Sequence, residues 1–102
     1  MTTKTAAIPT LTEIMERTHA KSPYYFEPDT MKFFNQTLED FTVTRSPTGR
    51  IFVHAPSVWH GRLMGYSFTE FVDDDLVKPR GDDDKLLKLN TQQEVLDYIK
   101  AH

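Results

Sequence analysis

Tyr24-Tyr25-Phe26-Glu27-Pro28-Asp29-Thr30-Met31-Lys32-Phe33-Phe34 places five aromatic side chains in eleven positions, and its reading sets the expected fold. The first three aromatics should be extended. Pro28 then opens a helix, because a first-turn residue has no intrahelical use for the N–H that proline lacks. Asp29 falls in the first turn, where a carboxylate complements the helix dipole. Met31, Phe34 and Leu38 recur at helical spacing with Phe33 beside them, so the spacing predicts a helix over 28–36 with an aromatic inner face. This is a folding signal, the nucleus of a small core around Phe34, and not a chemical one.

Working outward, residues 1–9 are polar, rich in threonine and end at Pro9, which reads as a flexible N-terminus. Thr10-Leu11-Thr12-Glu13 is a capping box, with threonine at the cap and glutamate three residues on. It opens a helix from Leu11 to about His19, with Leu11, Ile14, Met15 and Thr18 on one side. Lys21-Ser22-Pro23 breaks it. Beyond the aromatic stretch, Phe41-Thr42-Val43-Thr44-Arg45 alternates, Ser46-Pro47-Thr48-Gly49 is a turn, and Arg50-Ile51-Phe52-Val53-His54 is a second strand. Ala55 to Gly61 reads as a longer connection holding Pro56, Trp59 and His60. Arg62 to Thr69 is a third strand, with Met64, Tyr66 and Phe68 on the face toward the helices. Asp73 to Lys85 is polar, contains Pro79 and Gly81, and reads as a surface loop. Leu86 to Leu89 is either a short strand or a packed loop. Thr91-Gln92-Gln93-Glu94 is a second capping box and starts a helix over 92–101. The expectation is one α+β domain over residues 10–102. A three-stranded antiparallel meander at 40–70 is covered by the 28–36 and 92–101 helices, with the 11–19 helix at its edge.

A chain of 102 residues fits one domain and leaves no room for two independent cores, and its 38% hydrophobic content suffices for a compact core. It has no cysteine, which excludes disulfides, thiolate metal sites and cysteine nucleophiles. No apolar run approaches the roughly 18 residues of a membrane span, and the first residues lack a secretory signal. The expectation is a soluble cytoplasmic protein with no membrane partner. The net charge of −3 is unevenly spread. Glu70 to Asp84 holds seven acids against Lys78 and Arg80, so a generic basic footprint for nucleic acid is missing.

Two aspartate triplets, Asp73-Asp74-Asp75 and Asp82-Asp83-Asp84, lack the alternate spacing and distal glutamate of a calcium loop. They read first as solvated loops, and second as a contact surface for a basic partner, since clustered like charges steer such partners. Neither a metal site nor a cofactor is expected. His54 and His60 flank Trp59 without further zinc ligands nearby in sequence. His19 and His102 sit near helix ends. Ser57 has no orienting partner and no nucleophile elbow around it, and Gly49, Gly61, Gly65 and Gly81 are too scattered to cradle phosphate. No catalytic residue is nominated. Phe52, Tyr66 and Phe68, with Arg45, Arg50 and Arg62, would form a stacking platform for single-stranded nucleic acid if left uncovered. Trp59 is either folded back over the core, the commoner outcome, or displayed as a contact anchor.

The stretch Tyr25-Phe26-Glu27-Pro28-Asp29-Thr30-Met31-Lys32-Phe33-Phe34, with the strand, glycine turn and Ile51-Phe52-Val53 after it, resembles a group of small uncharacterised bacteriophage and plasmid proteins. The resemblance covers roughly residues 24–70. It implies a mobile-element origin and a strand meander, and it supplies no site residues. Glu27 stands where that group usually has a serine cap. The functional expectation is a small non-enzymatic protein, such as a phage or plasmid accessory factor that binds and modulates a host protein. One form of it is an inhibitor whose acidic surface imitates nucleic acid. Trp59, Glu70, Asp73, Asp74, Asp75, Asp82, Asp83 and Asp84 would be its partner-binding residues, and the partner a basic or nucleic-acid-binding host protein. The alternative is a single-stranded nucleic-acid-binding domain that uses the aromatic and arginine face of the sheet.

Overall fold

The computed structural model describes residues 8–18 and 26–102. The expectations for residues 1–7, for His19, and for Tyr24 and Tyr25 as extended chain lie outside the described residues. The fold is α+β: helix α1 (Leu11–Thr18), helix α2 (Pro28–Phe33), a 3₁₀ turn at Leu38–Asp40, strands β1 (Thr42–Arg45), β2 (Ile51–Trp59), β3 (Arg62–Val72) and β4 (Asp75–Val77), and helix α3 (Gln92–Ala101). The strands form one antiparallel sheet in the order β1-β2-β3-β4. Among the described residues the meander therefore has four strands and not three. Among the described residues no helix is long and apolar enough to cross a membrane.

The local signals act where the sequence puts them. Thr10 accepts from the Glu13 N–H while the Glu13 carboxylate accepts from the Thr10 N–H, each at 3.1 Å, which completes the first capping box. Thr91 accepts from the Glu94 N–H at 3.1 Å, but the Glu94 carboxylate reaches back one residue further, to the Asn90 N–H at 3.2 Å. The turn at Ser46–Gly49 is closed by Ser46 and Arg50 backbone pairing at 2.8 Å, with Gly49 at φ 92°.

Helix α2 is shorter than the spacing suggests. Asn35 takes φ 54°, the left-handed conformation that ends helices. The Gln36 N–H then bonds the Met31 carbonyl at 2.8 Å and the Asn35 N–H the Lys32 carbonyl at 3.1 Å, the two bonds of a Schellman motif. The freed side chains face β2. The Asn35 amide donates to the Val58 carbonyl at 3.2 Å and the Gln36 amide to the Pro56 carbonyl at 3.1 Å. Strand β1 pairs only with residues 51–54 of β2, so these amides cover carbonyls on the edge that β1 leaves open.

The sheet is buried on both faces, which changes the expected layering. Phe52 and Phe68 face α3 and form one core with Leu89, Val95 and Ile99. Val53 and Leu76 face α1 and form a second core with Ile14, bordered by Phe26, Phe41, Val43 and Phe71. Helix α1 thus covers a face and does not sit at an edge. The expected nucleus around α2 is corrected as well: α2 has no buried residue, Phe33 is 76% exposed, and Leu38 is exposed. Phe26 has 3₁₀ backbone geometry, not the extended one expected, and packs edge-on against Phe41 at 5.3 Å.

Candidate interaction tip and adjoining cavity

The segment Ala55–Gly61, expected as a long connection, is strand almost to its end. Trp59 pairs with Arg62, and His60 and Gly61 between them have φ of 50° and 74°. Two successive positive φ values make a type I′ turn, whose twist matches the strands it joins. Just below it the register slips: Ser57 pairs with Gly65 and Val58 with Leu63, leaving Met64 as the extra residue of a β-bulge. Gly65 takes φ 142°, a conformation that side chains disfavour.

The bulge corrects the expected facing of Met64. Phe68 meets α3, but Met64 is 59% exposed, as is Trp59, and Leu63 is 47% exposed. The Trp59 ring stands edge-on to His60, centroids 4.7 Å apart. Residues 57–65 hold no acid and one arginine, Arg62, directly opposite Trp59. The tip is therefore an apolar, mildly cationic end of a long hairpin. By the pairing, Trp59 shares a sheet face with Arg62 and Leu63 shares the other with Val58, so the tip exposes large apolar side chains on both of its faces.

The remaining candidate residues do not join Trp59. Val72 and Asp75 close β3 onto β4, with Asp73 and Asp74 at φ 51° and 60° as a second type I′ turn. That turn lies at the opposite end of β3, ten residue steps or roughly 33 Å from Arg62. The second triplet occupies its own turn. The Asp84 N–H bonds the Gly81 carbonyl at 3.0 Å, Asp84 takes φ 61°, and the Asp83 carboxylate accepts from the Lys85 N–H at 3.1 Å. The expected loop over 73–85 is thus two turns around a short strand. Three of its six aspartates, Asp73, Asp74 and Asp84, hold left-handed positions, which aspartate tolerates better than most residues. Among the described residues no group of three or more His, Asp or Glu side chains is placed to hold a metal ion.

Glu70 leaves the acidic set altogether. It takes two bonds from Arg50, Nε to Oε2 at 2.8 Å and Nη2 to Oε1 at 2.7 Å, and its side chain is only 15% exposed. These bonds hold the Arg50 guanidinium pKa above its ordinary value. The same guanidinium lies over the Phe52 ring, 5.4 Å from its centroid. Phe52 stacks on Phe68 at 5.1 Å, and Tyr98 of α3 meets both edge-on. Of the platform expected from Phe52, Tyr66 and Phe68, Phe52 and Phe68 are buried under α3 and Tyr66 is half-buried against the same core. His54 is buried on this side, its Nε2 2.9 Å from the Thr44 hydroxyl, and burial lowers its pKa.

A second feature had no signal in the sequence. A cavity of about 270 Å³ lies against residues 66–69 of β3. It exists because β4 ends at Val77, opposite Glu70, and the chain returns to β3 only where the Leu89 carbonyl meets the Tyr66 N–H at 3.0 Å. Phe34, Phe41, Leu86 and Leu87 are among the residues that line it.

Compared with protein-family models, curated proteins and solved structures, the chain shows no significant match.

Proposed function

We propose that the chain is an interaction domain, not an enzyme, and that it seats the β2–β3 tip in an apolar groove of a partner protein whose rim carries carboxylates. The observation that carries this reading is Trp59, 59% exposed on a hairpin end fixed by a type I′ turn and a bulge. A tip already held in one conformation loses little further entropy on binding. Tryptophan supplies the large rigid area typical of energetic anchors. Arg62 beside it, with no acid in residues 57–65, favours an acidic rim. The aspartate turns do not carry the reading, because their local backbone already accounts for three of those residues.

The test compares capture from a nuclease-treated lysate by the wild type and by Trp59→Ser/Leu63→Ser, followed by binding of the purified partner. Both side chains are exposed, so the double variant should melt within a few degrees of the wild type. An anchor worth about 2 kcal/mol implies a loss of affinity of roughly thirtyfold. Equal capture by a folded double variant would remove the tip from the interface.

A further inference from the structure

We propose that the cavity against β3 is a binding site for a small monocarboxylic acid with an apolar body, of the size of a medium-chain fatty acid or a phenylalkanoic acid. Its volume of about 270 Å³ lies just below the usual range for ligand pockets, which suits a small ligand. Among the described residues its walls come from several separate stretches of chain, so it is a packed feature and not a dent in one loop. Phe34, Phe41, Tyr66 and Leu87 give an aromatic and aliphatic lining for the body of such a ligand. The Gln36 amide on this wall is buried and held in place by bonds to the Pro56 carbonyl and the Ser67 hydroxyl, both at 3.1 Å.

The charge of the lining selects the head group. Lys78 and Lys88 line the cavity and are exposed, so they stand at its opening. Among the described residues no Asp or Glu lines it, although the chain as a whole carries a net charge of −3. An acid entering body first would leave its carboxylate beside Lys88, in water, where neither charge needs to be desolvated fully. A neutral ligand gains nothing from that arrangement, and a cationic one is repelled.

Titration of octanoate and of octanol into the isotope-labelled full chain, followed by amide chemical shifts, tests the assignment. Octanoate should saturate near millimolar concentration, as expected for about ten heavy atoms, with shifts centred on Tyr66–Thr69 and Leu86–Lys88. Octanol should bind about tenfold more weakly, the worth of one charge-assisted contact. Lys88→Gln should erase most of that difference, and Leu87→Trp, which fills the cavity, should abolish both. The Trp59→Ser/Leu63→Ser protein should bind octanoate as the wild type does, so the tip and the cavity stand or fall separately. Equal binding of octanol and octanoate, an unchanged octanoate affinity in Lys88→Gln, or no saturation by 10 mM, about ten times the millimolar expectation, would overturn the proposal.

Discussion

The two-faced core makes a sharp statement about which phenylalanine holds the domain together. Phe52 is fully buried, stacked on Phe68, edge-on to Tyr98 and capped by the Arg50 guanidinium. Phe52→Ala should cost about 3–5 kcal/mol, the transfer loss of the ring plus the cavity it leaves. Two lost ring contacts, each worth about 0.5–1.5 kcal/mol, push the value toward the upper end. A domain of this size has a total stability of about 5–15 kcal/mol, so the variant would be marginal. Phe52→Leu keeps most of the volume and should cost about 1–2 kcal/mol, chiefly the ring contacts. Phe34, by contrast, is partly exposed beside a helix with no buried residue, and Phe34→Ala should cost roughly 1 kcal/mol. Urea unfolding followed by far-ultraviolet circular dichroism, with a common slope, measures all three. If Phe34→Ala proves as costly as Phe52→Ala, the core lies under α2 and the layering described above is wrong.

Gly65→Ala should destabilise by about 1–3 kcal/mol, since alanine is strained at φ 142°, and the loss should appear as a lower urea midpoint; an unchanged midpoint would mean the bulge is not fixed. Asp74→Gly should stabilise by about 0.5–1 kcal/mol, because glycine takes the left-handed turn position without steric cost, and a fall in melting temperature would contradict the type I′ assignment. His54 has a folded pKa below its unfolded value of about 6.5, so the unfolded chain binds more protons as pH falls into that window. Its contribution is therefore complete above about pH 6.5 and is lost as pH drops through the folded pKa. Unfolding free energies of wild type and His54→Gln between about pH 5 and 7.5 should diverge in slope, and parallel curves would show that His54 is not the group responsible.

What was legible in the sequence was whatever a few neighbouring residues decide among themselves. The Thr10–Glu13 box, the Thr91 cap, proline at the start of α2 and the Ser46–Gly49 turn each satisfy their own backbone groups within four residues. The β2–β3 turn is just as local, yet His60-Gly61 lacks the Asn-Gly or Asp-Gly signature, and Pro56 masked the strand before it. Pro56 is tolerated because the pairing of β1 with β2 ends at His54, so β1 does not need its N–H. Asp73-Asp74 hid a turn for a different reason: a run of acids draws attention to charge, while the backbone uses these residues for their tolerance of positive φ.

The sequence by itself determined an α+β domain, the first hairpin, the helix starts and α3, because hydrogen bonding and capping act over a few residues. Burial was not decided at that range. Phe33 and Phe52 are the same residue type in equally apolar surroundings, and only α3 arriving from forty residues downstream makes Phe52 core while Phe33 stays in water. Glu70 was one acid among seven until the sheet register set it on the same face as Arg50. Trp59 became an exposed tip, and a cavity opened beside β3, through strand lengths and a single bulge. Those are properties of which distant segments meet, and free energy of burial depends on that meeting alone.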